Sequence, residues 1–388
     1  MALYEYIAPC HFGTESVLKR EVVSLGWEIT AVDDGRVAFR GDAAALAKAN
    51  ICLRTAERVL WKAGEFEART FDELFEGTRA IPWEELLPEN ARFYVAKASS
   101  VRSALFSPSD IQSIMKKAMV ERMKTRYRTN WFPEDGPVYP LRVSIRKDTV
   151  TVGIDTSGTS LHKRGYRVSP VMAPISETLA ASIIGLTPWF PDRILVDPFC
   201  GSGTIPIEAA MIARHIAPGI GRSFLAESWT TLPDSGIFKR AREEAEEAVL
   251  PEALAKCDLQ GYDIDEHAVR CARENAEKAG VAKLIHFQKR EVKDLRHSKP
   301  YGFIVTNPPY GERLEDRAGL PGLYAQIGEA YKKLDSWSMF LITSYEEAEK
   351  YIGKKADKNR KIYNGMLRTY LYQYLGPKPP KKKGEKGL

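Results

Sequence analysis

The second half of the sequence predicts a doubly wound α/β fold, an open and mostly parallel sheet with helices on both faces. Three observations predict it. Short apolar runs recur at Ile194–Val196, Leu259–Tyr262, Leu284–Gln288, Tyr301–Val305 and Met339–Thr343. Helix-patterned stretches separate most of them, at 205–214, 266–279 and 320–334, which is the alternation of a parallel sheet. Three of the runs end in a polar or glycine-bearing loop: Asp197 to Thr204, Asp263 to Asp265, and Thr306 to Arg313. Ligands of open α/β sheets bind outside the carboxyl ends of the strands, so these loops form the candidate site.

The chain has 388 residues, enough for two or three domains. No apolar run approaches the roughly 18 residues that span a bilayer, and Met1 to Glu5 shows no secretory pattern. Cys10, Cys52, Cys200, Cys257 and Cys271 are scattered without metal-ligand or redox spacing. With six dispersed histidines, this predicts a cytoplasmic protein with reduced thiols and no metal. Charge is uneven. Residues 92–165 carry 14 Lys and Arg against 6 Asp and Glu, and the last eleven residues carry 5 against 1. Such a pattern suits a polyanion-binding module ahead of a neutral catalytic body.

Residues 1–70 alternate strand and helix signals. Tyr4–Pro9 is a strand, and Glu15–Leu25 is a helix ended by Gly26. A hairpin turns at Asp33-Asp34-Gly35, and Asp42 caps a second helix. The order β-α-β-β-α predicts a small α+β ferredoxin-like domain. In residues 71–165 a helix near Phe71–Gly77 and a strand at Ala91–Ser99 precede a helix over Ile111–Tyr127, which begins at Ser107-Pro108. Its apolar face carries Ile111, Met115, Ala118, Met119 and Met123, and its other face carries Lys116, Lys117 and Arg122. A hairpin and the run His162-Lys163-Arg164-Gly165-Tyr166-Arg167 close the segment. Together with the turn at 98–105, these features resemble a THUMP domain, the RNA-binding module of RNA-modifying enzymes. The resemblance implies that Lys116, Lys117, Arg164 and Tyr166 contact RNA, neutralising phosphate and stacking on bases.

The proline-rich run Ser169 to Pro174 reads as a boundary, and a helix follows over Ser176–Ile184. In Asp197-Pro198-Phe199-Cys200-Gly201-Ser202-Gly203-Thr204, a buried strand ends in an acid and a glycine turn opens a helix. The third glycine of the dinucleotide fingerprint is missing. The turn resembles the S-adenosylmethionine loop of amino-methyltransferases. That resemblance implies cofactor contacts from Asp197, Phe199, Cys200, Gly201, Gly203 and Thr204. Cys200 reads as a packing residue. Residues 215–257 form an insertion in which Phe224 and Trp229 read as core. Asp263, followed by Ile264, stands where an acid accepts hydrogen bonds from ribose hydroxyls, and Asp265 caps the next helix. Past the third strand, Glu291 or Asp294 is in position to accept the adenine amine.

Asn307-Pro308-Pro309-Tyr310 follows the fourth strand. Two prolines cannot donate to a sheet ladder, so the run is a loop. An aromatic amine is a weak nucleophile because its lone pair is delocalised into the ring. Donating its N–H bonds to the Asn307 side-chain oxygen and the Pro308 carbonyl favours a tetrahedral nitrogen with its lone pair exposed. Tyr310 offers a face on which an extruded base can stack. The motif resembles that of amino-methyltransferases, and the whole chain resembles the bacterial THUMP-containing family that methylates guanine N2 in large-subunit ribosomal RNA.

The resemblance implies an α/β, Rossmann-like, doubly wound class I methyltransferase domain over 166–376. Ahead of it stand a ferredoxin-like domain over 1–70 and a THUMP domain over 71–165, and a basic disordered tail at 377–388 follows. It implies S-adenosylmethionine as cofactor and RNA as partner, with 23S rRNA favoured over tRNA. Asn307, Pro308, Pro309 and Tyr310 are the implied catalytic set, and Asn307 also lies beside the cofactor. Adenine N6 in RNA or DNA, a protein glutamine amide, and a non-catalytic ribosome-assembly role are the alternatives.

Overall fold

The computed structural model describes residues 2–168, 174–311, 318–365 and 367–380. Its strands are β1 (Tyr4–Pro9), β2 (Glu28–Asp33), β3 (Arg36–Gly41), β4 (Leu60–Glu67), β5 (Arg92–Val101), β6 (Val138–Arg146) and β7 (Thr149–Asp155). They continue with β8 (Leu195–Asp197), β9 (Leu259–Asp263), β10 (Ile285–Lys289), β11 (Phe303–Thr306), β12 (Ser338–Thr343), β13 (Lys358–Asn364) and β14 (Leu367–Tyr374). The helices are α1 (Glu15–Ser24), α2 (Ala43–Cys52), α3 (Phe71–Ala80), α4 (Trp83–Leu86), α5 (Pro108–Tyr127) and α6 (Glu177–Leu186). They end with α7 (Thr204–Ala213), α8 (Ile237–Glu247), α9 (Glu266–Lys278), α10 (Leu320–Lys332) and α11 (Ala348–Ile352). Among the described residues no helix is long and apolar enough to cross a membrane.

The chain divides into two compact units. The first comprises residues up to 10, 18–161 and 218–247. Its seven strands form one sheet in the order β2-β3-β1-β4-β7-β6-β5. The strand β4, absent from the sequence reading, joins the ferredoxin-like part to the remainder by pairing with both β1 and β7. Its pattern is broken by Gly64 and by a bulge between Lys62 and Gly64, which hides the alternation. The insertion residues 218–247 pack in this unit, although the sequence reading grouped them with the catalytic half. Trp229 stacks on Tyr139 with ring centroids 4.5 Å apart, and its Nε1 donates to the Val138 carbonyl at 3.0 Å. Phe224 and Trp229 are both core residues, as expected.

The second unit comprises residues 11–17, 162–217 and those from 248 onward. The early segment belongs here because Arg360 Nη1 donates to the Gly13 carbonyl and His11 Nδ1 meets the Tyr363 carbonyl at 3.0 Å. The sheet order is β10-β9-β8-β11-β12-β14-β13. The five strands from β10 to β12 are parallel, and β14 and β13 close the sheet antiparallel. Alternate strand residues feed two cores. Leu195, Phe303, Val305 and Phe340 pack on one face with Leu179, Ile205 and Val269. Val196, Ile304, Met339 and Leu341 pack on the other with Tyr324, Ile327 and Trp337. The strand order reverses between β8 and β11, and the carboxyl ends of strands at such a reversal are where open α/β sheets bind ligands.

Asp265 caps α9, its side chain accepting from the His267 N–H at 2.9 Å, as the sequence predicts. The proline-rich boundary at 169–173, Glu312 and Arg313, and the tail from 381 lie outside the described residues.

Candidate active site

The β8 strand ends at Asp197, which is almost fully buried. Phe199 N–H donates to its Oδ1 at 3.1 Å, and Thr306 Oγ1 donates to the same oxygen at 2.7 Å. Burial pushes the Asp197 carboxyl up to about 7, and the nearby Asp263 carboxylate adds to the rise while the two donors oppose it. Asp263, at the end of β9, accepts from Gly201 N–H at 2.9 Å and from Asp265 N–H at 3.0 Å. Burial raises its pKa also. Asp263 therefore ties the glycine turn to its own strand.

The two glycines of the turn act differently. Both have positive φ, +50° at Gly201 and +81° at Gly203. A β-carbon on Gly201 would meet nothing within 4 Å, whereas one on Gly203 would lie 2.9 Å from Ala272 Cβ and from Phe287 Cζ. Gly203 is thus demanded by packing against α9 and β10. Phe199 is half-buried, and Ile264 stands 64% exposed beside Asp263. Cys200 is buried, and burial holds its thiol well above the ordinary range, which suits a packing residue. Glu291 follows the end of β10 and pairs with Lys293 at 2.5 Å.

Thr306 ends β11, and Asn307 follows it directly. Because β9, β8 and β11 are neighbours in register, Asp263, Asp197 and Asn307 share one edge of the sheet. Asn307 and Tyr310 are half-buried, Pro308 is buried and Pro309 is exposed. Tyr324 of α10, fully buried, donates its hydroxyl to the Pro309 carbonyl at 3.2 Å and lies 2.6 Å from Thr343 Oγ1. Beyond Tyr310 is a cleft of about 600 Å³ lined by Tyr310, Gly311, Leu320, Tyr345, Glu346 and Glu347 among others.

Sequence reasoning missed the clamp on the glycine turn. The Arg167 guanidinium donates to Glu177 Oε1 at 2.7 Å, Ser202 Oγ at 2.9 Å, the Ile175 carbonyl at 2.7 Å and Thr204 Oγ1 at 3.1 Å. Asn275 of α9 adds a second tie, donating to the Ser202 carbonyl at 2.9 Å while accepting from Val168 N–H at 2.8 Å.

The expectation that Arg164 and Tyr166 contact RNA is corrected. Both are buried, and both hydrogen-bond Glu208 of α7, Arg164 Nε at 3.4 Å and the Tyr166 hydroxyl at 3.2 Å. A buried arginine needs such a partner, since an unpaired charge there costs several kcal/mol. On α5 of the first unit, Lys116 bonds Glu134 at 2.6 Å and lies over the Phe93 ring, whereas Lys117 is exposed.

Comparison with known proteins adds the following. Residues 164–373 match the family model described as "RMKL-like, methyltransferase domain". Residues 5–60 match the RlmL ferredoxin-like domain, and residues 68–155 match the THUMP domain. These matches bear out the fold class expected from the sequence. The chain is 46% identical over 386 residues to the Bacillus subtilis (strain 168) protein named "Putative RNA methyltransferase YpsC", covering 99% of each. It is 35% identical over 391 residues to the ribosomal RNA large subunit methyltransferase K/L of Syntrophotalea carbinolica, covering 95% of this chain but 53% of that one, about half its length. The solved structure of SMU.472 complexed with SAH superposes with a TM-score of 0.90 at 42% identity, over 98% of this chain and 100% of the other.

Proposed function

Because the chain belongs to the RMKL-like methyltransferase family, we propose that it transfers a methyl group from S-adenosylmethionine to the exocyclic N2 of a guanine in large-subunit ribosomal RNA. The single observation carrying the reading is the Thr306–Asp197 hydrogen bond. It joins the strand that presents Asn307 to the acid that opens the glycine turn.

The residues present suit the cofactor. Open space at Gly201, an exposed Ile264 beside the Asp263 carboxylate, and a buried acid at Asp197 match a nucleoside joined to a cationic amino acid. Asp197, Phe199, Gly201 and Thr204 would hold the methionine end, and Asp263, Ile264 and Glu291 the nucleoside. Cys200 and Gly203 shape the turn from beneath. The cofactor supplies the electrophilic methyl group.

This chain supplies the geometry. Asn307 and the Pro308 carbonyl take the amine's N–H bonds and leave its lone pair free, and Pro309 stiffens the loop. Tyr310 stacks on the flipped base. The amine nitrogen sheds its proton late, through Asn307 to water, so no strong base is needed. Positioning and electrostatics account for the rate.

The first unit would carry the RNA, with Lys117 contacting phosphate and Lys116 contributing through its shared charge. The division proposed is 1–70 ferredoxin-like, 71–165 THUMP and 166–376 methyltransferase, with a basic tail at 377–388.

The test incubates the full chain with tritiated S-adenosylmethionine and unmodified large-subunit rRNA transcripts, then digests the product to nucleosides. The expected product is N2-methylguanosine. Label in N6-methyladenosine, or none in rRNA, would overturn the reading.

A further inference from the structure

The geometry points to the cleft beyond Tyr310 as the target-base pocket, selecting guanine over adenine through the carboxylates of Glu346 and Glu347. The inference rests on the methyltransferase reading and adds how the base is told apart.

Position comes first. The proposed cofactor residues Asp197, Gly201 and Asp263 lie at the ends of β8 and β9, on one side of the topological switch. Asn307 follows β11, the next strand across. The cleft lies one strand further, where β12 ends at Thr343 and the chain continues through Ser344, Tyr345, Glu346 and Glu347. A base lying there and offering its amine to Asn307 would meet the methyl donor from the opposite side, as an in-line transfer requires. At about 600 Å³, the cleft is in the range of small-molecule sites.

Lining comes second. Tyr310 and Tyr345 give the cleft two aromatic rings, and Leu320 and Leu367 add apolar wall. Tyr345 is fixed by packing on Tyr324, with ring centroids 5.0 Å apart, and by its N–H donating to Thr343 Oγ1 at 3.0 Å. The polar wall is acidic. Glu346 is held by Arg368 at 2.8 Å, and Glu347 by Lys350 at 2.6 Å.

Chemistry decides the base. Ionised carboxylates only accept hydrogen bonds. In guanine the amine at C2 is flanked by N1–H, a donor that a carboxylate can accept while the amine itself donates to Asn307 and the Pro308 carbonyl. In adenine the amine at C6 is flanked by N1, a bare lone pair that a carboxylate repels. An acidic wall next to an amine-binding loop therefore favours guanine.

The test measures binding of guanosine, adenosine and 1-methylguanosine 5′-monophosphates to the full chain saturated with S-adenosylhomocysteine, by saturation-transfer NMR. Guanosine monophosphate should bind about tenfold more tightly than either of the others, as one partly exposed charge-assisted hydrogen bond would give. The double variant Glu346→Ala, Glu347→Ala should lose that preference while keeping its affinity for S-adenosylhomocysteine. Equal binding of all three nucleotides, no binding of any, or an unchanged preference in the variant would overturn the pocket. If N2-methylguanosine still formed in rRNA, only the pocket would fall; adenine methylation would instead remove the reading beneath it.

Discussion

Thr306 Oγ1 donates a 2.7 Å hydrogen bond to Asp197 Oδ1. Two residues 109 positions apart thus lock the loop that begins at Asn307 to the glycine turn, at the point where the sheet reverses its strand order. Burial holds the Asp197 carboxyl at about 7, far above its ordinary 3.8.

That raised pKa gives a pH prediction of definite sign. Between pH 3.8 and about 7 the folded chain keeps a proton that the unfolded chain has released. The stability from this group is therefore full below pH 3.8 and lost as pH rises through about 7. A cationic ligand favours the ionised acid, so affinity for S-adenosylmethionine should rise with pH up to about 7, with proton release on binding. Calorimetry in buffers of different ionisation enthalpy checks this, and Asp197→Asn should abolish the proton release.

Arg167→Met should remove two hydrogen bonds from the glycine turn, at Ser202 and Thr204, and two at Ile175 and Glu177, and leave Glu177, 3% exposed, without its guanidinium. The KM for S-adenosylmethionine should rise about tenfold or more while kcat changes much less, with partial rescue by Arg167→Lys. Steady-state kinetics with varied cofactor reads the split. An effect confined to the KM for RNA would contradict the assignment.

How much of this was legible in the sequence depends on contiguity. Asp197 to Thr204 and Asn307 to Tyr310 are unbroken runs, so their resemblance to the loops of amino-methyltransferases marks them as candidates from the sequence. Arg167, Tyr324 and Asn275 gain meaning only when distant segments meet, and no local pattern marks them. Arg164 and Tyr166 were misread because a basic and aromatic run looks alike whether it faces solvent or a buried Glu208. The strand β4 escaped because a bulge broke its alternation, and it proved to be the strand joining two halves of one sheet.

Gly203→Ala should destabilise the second unit. The new methyl would lie 2.9 Å from Ala272 Cβ and Phe287 Cζ, on a backbone with φ of +81°. Left-handed strain and overpacking together cost about 2–4 kcal/mol. Thermal denaturation should show a Tm lower by several degrees, whereas Gly201→Ala, with open space around its β-carbon, should cost less stability.

Tyr324→Phe tests whether the loop must be held. It removes the hydroxyl bonded to the Pro309 carbonyl and Thr343. The net loss is about 1–3 kcal/mol. Turnover should fall about tenfold while cofactor affinity, measured calorimetrically, stays within twofold.

The central claim is that Asn307 holds the attacking amine beside a bound methyl donor. Its most direct test is Asn307→Ala in a single-turnover methyl-transfer assay on rRNA, with S-adenosylhomocysteine affinity measured on the same protein. The account predicts that transfer falls by at least about a hundredfold, as for loss of one preorganised polar group, with cofactor affinity unchanged. Transfer at the wild-type rate would contradict it.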